Sequence, residues 1–217
     1  MKFLLPLFML TTIISCTKFG KTDTAKGRVL NPVTGEGVSG VELKLLKSTA
    51  GLPGGNKAVK TATTDGDGFY EISKAGLKGY SLSCNLPAEY YPVGWFIDGE
   101  LKNTNTGNVG LKKGKTLHAD FYAVPYGNLQ ININNTSCFD TNDELKIYRS
   151  HSIPSFYDNV PNPAIYNGCV NQTGNMNKAP MGWYKYNGTV TKNGIVTPKR
   201  DSIYLNKDET KVWNINY

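Results

Sequence analysis

Leu129-Gln130-Ile131-Asn132-Ile133-Asn134 alternates apolar and polar residues without a break. Successive side chains of an extended strand point to opposite faces, so the stretch lays three aliphatic groups on one side and amides on the other. A helix would scatter the same residues around its circumference. The pattern decides for a strand with one buried face, and it recurs in both directions. Upstream, Val41, Leu43 and Leu45 alternate with Glu42 and Lys44, and Tyr80, Leu82 and Cys84 alternate with Ser81 and Ser83. Leu117, Ala119, Phe121 and Ala123 do the same among more polar neighbours. Downstream, the chain closes on Trp213, Ile215 and Tyr217, set against Val212, Asn214 and Asn216. Gly, Pro, Asn and Asp punctuate these runs every roughly eight to twelve residues, which predicts an all-β protein of packed sheets.

A chain of 217 residues, 39% hydrophobic and 19% charged, can bury a core without metal or disulfide staples and is neither disordered nor a coiled coil. Its +7 charge is scattered. The one basic cluster, Lys112-Lys113-Gly114-Lys115, reads as protection of a sheet edge, and no nucleic-acid partner is expected. Of 22 Asn, 19 follow position 100, so composition shifts partway along the chain. A Pro-Gly turn is expected at Val124-Pro125-Tyr126-Gly127, dividing two β-sandwich domains, 27–125 and 126–217. The second is expected to be Ig-like or a similar sandwich. Asn193-Gly194, between Val190-Thr191-Lys192 and Ile195-Val196-Thr197, is the strongest hairpin signal.

Met1-Lys2 followed by the apolar run Phe3 to Ile14 is too short to span a bilayer and reads as a signal peptide, 1–15. The run ends in Ile13-Ile14-Ser15-Cys16, which resembles the bacterial lipobox. That resemblance implies a diacylglycerol thioether on Cys16, cleavage before it and acylation of the new N-terminus. Each buried methylene contributes about 0.8 kcal/mol, so several acyl chains make a stable membrane anchor. Residues 16–26 are expected to be a lipidated terminus and tether. The expected location is the cell envelope, on a bacterial membrane and by preference the outer one. The basic Thr17-Lys18-Phe19-Gly20-Lys21 leans toward the periplasmic side.

Gly27-Arg28-Val29, then Thr34-Gly35-Glu36-Gly37-Val38-Ser39-Gly40-Val41, then Thr64-Asp65-Gly66-Asp67-Gly68-Phe69-Tyr70 follow one another in order. This series resembles the carboxypeptidase regulatory-like domain, a transthyretin-like (prealbumin-like) sandwich. In that family the module is an accessory and not the hydrolase, so the resemblance implies a fold and no catalytic residue. Gly35 and Gly37 suit a tight reversal. Asp65 can accept backbone N–H groups within its own turn, and Gly68 precedes Phe69, which is expected in the core. The overall plan resembles small lipoproteins of the Bacteroidetes.

Candidate sites are few. Asp65-Gly66-Asp67-Gly68 begins like a calcium loop but lacks a carboxylate at the twelfth position, and Asp140, Asn142, Asp143 and Glu144 read as a solvated hairpin tip, so no metal or other cofactor is expected. An envelope location permits a disulfide between Cys138 and Cys169. Cys84 shares the Tyr80/Leu82 face and reads as a buried thiol. The two histidines, His118 and His151, accompany no nucleophile elbow, no His-Glu-x-x-His and no phosphate-cradling loop, so no catalytic residue is assigned and no enzyme is expected. Tyr90, Tyr91, Trp95 and Phe96 are candidate binding aromatics for a sugar ring or a protein partner, or else caps on the core. In Trp183, Tyr184 and Tyr186 alternation puts at least one aromatic on each face. The sequence thus points to a lipid-anchored, non-catalytic interaction or scaffolding module. The alternative is a glycan-binding accessory lipoprotein, and a remote one is an envelope hydrolase.

Overall fold

The computed structural model describes residues 21–49, 55–76, 79–104, 107–153, 156–157 and 162–217; the signal segment and Cys16 lie outside them. Apart from a 3-10 turn at Phe156, the regular elements among the described residues are strands. The first nine are β1 (Thr22–Leu30), β2 (Glu42–Thr49), β3 (Gly55–Thr63), β4 (Phe69–Ala75), β5 (Ser81–Asn85), β6 (Tyr90–Ile97), β7 (Glu100–Thr104), β8 (Val109–Gly110) and β9 (Thr116–His118). Then come β10 (Asp120–Asn134), β11 (Glu144–His151), β12 (Ala164–Asn167), β13 (Asn171–Gln172), β14 (Asn177–Pro180), β15 (Gly182–Lys192), β16 (Ile195–Leu205) and β17 (Thr210–Asn216).

The 15 residues of β10 organise the molecule. The first part pairs antiparallel with β6, while Val29 and Leu30 of β1 pair in parallel with Phe121 and Tyr122. The second part pairs antiparallel with β14 and β13 and in parallel with β17, from Asn128 opposite Thr210 to Asn134 opposite Asn216. Two smaller sheets, ordered β3-β2-β5-β8 and β12-β11-β15-β16, close over the two parts. One strand, about 50 Å long at ~3.3 Å per residue, therefore serves two sandwiches.

Each sandwich has its own core, built from the alternating residues. Val41, Leu43, Leu45, Leu82, Trp95 and Phe121 anchor the first. Leu129, Ile133, Leu145, Ile147, Tyr184 and Trp213 anchor the second. A third cluster, Val93, Val124, Ile153 and Met181, fills the joint between them. At ~25 cal/mol per Å² of apolar surface, each fully buried aliphatic contributes about 1.5–3 kcal/mol, so these interiors supply most of the driving force.

Three expectations need correction. Val124-Pro125-Tyr126-Gly127 is not a turn but the middle of β10. Pro125 lacks an N–H, yet β10 changes partners there: pairing with β6 ends at Pro125 opposite Tyr90, and pairing with β14 begins at Tyr126 opposite Pro180. Pro125 contributes its carbonyl, which accepts from the Met181 N–H at 2.9 Å. Gly127 serves a close approach, since a Cβ there would lie 2.6 Å from the Asn206 carbonyl oxygen.

The tether is also shorter than expected. Residues 22–26 form the first half of β1, paired with β4 and β9. Ala25 is buried in the first core, and the buried Asp23 accepts from the Gly114 N–H at 2.5 Å.

The Asp65 turn forms as its chemistry requires, with Oδ1 accepting from the Asp67 and Phe69 N–H groups at 3.0 and 2.8 Å. Phe69 does not enter the core, however. It is 52% exposed beneath the Arg28 guanidinium, while Tyr70 turns inward and its hydroxyl donates to the Ala119 carbonyl. The hairpin at Asn193-Gly194 closes with both residues at positive φ, 46° and 70°.

Candidate functional site

The aromatic run in β6 does not make an exposed platform. Trp95 has no exposed surface; its ring meets Phe121 edge-on at 4.9 Å and its Nε1–H donates to the Gly107 carbonyl at 2.7 Å. Phe96 stacks on Tyr122 at 3.9 Å between centroids. Tyr91 packs in the joint between Tyr126 and Phe156, and Tyr90 leans on the first core. Trp95 is thus taken into the interior, while Tyr90, Tyr91 and Phe96 stay half-buried against the first core and the joint. The physical reason is a β-bulge in β6 opposite Tyr122 and Ala123. It turns Val93 into the joint while Trp95, two residues on, enters the first core.

A concave site lies in the second sandwich, where the β10 and β11 sheets part to leave a cleft of about 320 Å³. Leu129, Ile131 and Ile133 form its floor, and Phe156, Tyr157, Tyr166 and Tyr184 its walls. Arg149 sits among them on the inward face of β11, donating from Nη2 to the Tyr166 hydroxyl at 2.6 Å. No carboxylate is among the described lining residues, so Arg149 and Lys178 give the cleft a positive sign. Burial pushes the Tyr157 and Tyr184 phenols above their ordinary range, so they stay protonated. An aromatic-walled cleft with one guanidinium can seat a small apolar ligand with an acidic end.

His151 borders this region without a catalytic partner among the described residues. Its Nδ1 accepts from the Ile153 N–H at 3.0 Å, its Nε2 is buried, and its ring packs against Phe156 and Tyr184. Burial lowers its pKa to about 4, leaving a neutral imidazole at physiological pH. His118 lies far off on β9, exposed.

No family model matches the chain. No curated protein matches it either. Among solved structures it is similar to the ancillary pilin of Streptococcus, with a TM-score of 0.31 and 16% identity over 90% of this chain and 62% of that one. It is similar to the major pilin of Streptococcus pyogenes, with a TM-score of 0.29 and 11% identity over 91% and 97% of the two chains. A leucine-rich repeat protein of Bacteroides thetaiotaomicron gives a TM-score of 0.26 at 11% identity, covering 91% and 26%. The chain therefore spans under two thirds of the ancillary pilin and about a quarter of the repeat protein.

At the far end of the second sandwich the acidic cluster comes apart. Asp140 caps its own turn, accepting from the Asn142 N–H at 2.7 Å. Asp143 turns inward, and its Oδ2 accepts from Asn135 Nδ2 at 2.8 Å and the Phe139 N–H at 2.9 Å. Lys192 completes the knot by donating to Asn135 Oδ1 and the Ser137 carbonyl at 2.8 and 2.6 Å. Cys138 and Cys169 are joined in a disulfide beside it, Cα atoms 5.2 Å apart. Cys84 is buried in the first core, and burial raises its thiol pKa to about 12, which makes it a poor nucleophile.

Proposed function

We propose that this chain is a lipid-anchored envelope protein acting as a rigid, non-catalytic interaction module that holds a binding surface away from the membrane. The supporting observation is β10, which runs unbroken through both cores, with Val93, Val124, Ile153 and Met181 packed around the crossing. Two sandwiches sharing a strand and a sealed joint move as one body, unlike domains strung on a linker. The first is proposed to be of the carboxypeptidase regulatory-like kind, on the two turn motifs that carry the resemblance. Acylation of Cys16 supplies the anchor.

The test has two arms. Cells fed a clickable palmitate analogue should label the wild type and not Cys16→Ala. Cross-linking in whole cells, followed by purification from membranes, should recover a recurrent envelope partner. A chain that carries no acyl group, or one recovered alone under conditions that capture known envelope complexes, overturns the reading.

A further inference from the structure

The outward face of the β12-β11-β15-β16 sheet is not an ordinary solvated surface. Alternation sends Leu145, Ile147, Tyr184, Tyr186 and Val190 into the core and leaves the intervening residues pointing away. Trp183 is 45% exposed and Tyr148 is 49% exposed. Around them stand Lys146, Lys185 and Arg200. The register sets Tyr148 opposite Asn187 and Asn187 opposite Arg200, with Lys185 opposite Ser202 in the next outward row. Tyr148 and Trp183 are thus about 14 Å apart along the strands, four residues at ~3.4 Å each, and the cations lie between and beside them.

The ring of Trp183 is held, not loose. Tyr204 meets it edge-on at 5.2 Å, and the Lys185 ammonium lies 5.9 Å from its centroid. None of the three cations takes part in an ion pair among the described residues. Glu144 marks the far end of the face. Asp201 belongs to the other side, where its Oδ2 accepts from Trp213 Nε1 at 3.0 Å. Between the rings and cations lie the amide of Asn187 and the hydroxyls of Ser150, Thr189 and Ser202.

We propose that this face binds an acidic polysaccharide laid along the strands. Trp183 and Tyr148 stack on pyranose faces, Lys146, Lys185 and Arg200 meet carboxylates, and the amide and hydroxyls bond ring hydroxyls. Positive charge that enters no ion pair among the described residues selects the anion, and neutral hydrogen-bonding groups outnumbering the cations suit a hydroxyl-rich polymer better than a phosphate backbone. The exposed groups run along two neighbouring strands, β11 and β15, as a polymer needs and a small ligand does not. The inference goes beyond the display role and does not depend on acylation.

The probe is polygalacturonate, titrated calorimetrically into the purified protein at about 50 mM salt, with its fully methyl-esterified form as the uncharged control. Binding is expected to weaken at least about tenfold on esterification and again at about 0.5 M salt. Trp183→Ala and the pair Lys185→Gln/Arg200→Gln should each weaken it about tenfold, while Lys112→Gln/Lys113→Gln, remote from the face, should not. All these side chains are exposed, and unfolding curves check that the variants fold; if Trp183→Ala does not, Tyr148→Ala carries the same expectation. No binding by the folded protein overturns the proposal, as do equal binding of the ester and equal loss in the remote pair. Tighter capture of single-stranded DNA or of phosphatidylglycerol vesicles through the same residues overturns it as well.

Discussion

Gly68 stands so close to Gly37 that a methyl group built on it would lie 2.9 Å from the Gly37 Cα, and one built on Gly37 would lie 2.0 Å from the Asp67 carbonyl oxygen. The two turns that carry the sequence motif of the first sandwich thus interlock through bare backbone. Neither contact can be relieved by rotating a side chain.

Gly37→Ala is therefore expected to destabilise the protein by about 3 kcal/mol or more, because backbone must move. Gly35→Ala is a graded comparison. Its φ is 78°, but open space surrounds it, so only the left-handed backbone penalises a Cβ, by about 1 kcal/mol. Urea unfolding of both variants should reproduce that order. Equal losses would show that the backbone contact at Gly37 yields cheaply.

The disulfide joins cysteines 31 residues apart. Restricting the unfolded chain over that loop should contribute about 3–4 kcal/mol. Cys138→Ser/Cys169→Ser should lower the denaturation midpoint accordingly, and a reductant should shift the wild type but not the double variant.

Two groups give the acid limb of stability separate windows. Hydrogen bonds, that from Asn135 foremost, hold the Asp143 carboxyl below the usual carboxylate range. Its contribution is present above the unfolded pKa, near 4, and is lost as pH falls through the lower folded value. His151 acts earlier: its imidazole titrates near 6.5 unfolded and at about 4 folded, so the unfolded chain takes up the proton first and stability declines from about pH 6.5 to 4. Asp143→Asn should flatten the profile below pH 4, and His151→Phe should flatten it between 4 and 6.5. Melting temperatures across pH 3 to 8 separate the two.

The joint predicts cooperativity. Thermal unfolding of the wild type should be a single transition. Inserting Gly-Ser-Gly-Ser between Val124 and Pro125 breaks the shared strand and should split calorimetric unfolding into two transitions. Two transitions in the wild type would mean that the sandwiches are energetically separate.

The strands were legible because each buries one face: Val41, Leu43 and Leu45 have no exposed surface at all, as their alternation requires. Turn chemistry was equally plain at Asp65 and Asn193, where the signal is local. What failed was whatever depends on a partner strand. Pro125 looks like a breaker until the change of ladder on either side of it is known. For Trp95 the choice between surface anchor and core cap stayed open because a bulge, which has no sequence mark beyond Gly94, resets the faces of β6. The cleft did leave a trace. Arg149 continues the inward row of Leu145 and Ile147, and an arginine on the apolar side of a strand signals something to meet. Trp183, Tyr184 and Tyr186 showed aromatics on both faces, but not that the outward one would be surrounded by uncompensated cations from neighbouring strands.

β1 and β17 both run parallel to β10, one entering near its start and the other leaving beside its end. Thr22 and Tyr217 consequently sit at opposite poles of the molecule. Tension applied between them pulls lengthwise along the ladders, loading many hydrogen bonds at once in shear and opening none in sequence. A fold wired this way resists being drawn out lengthwise.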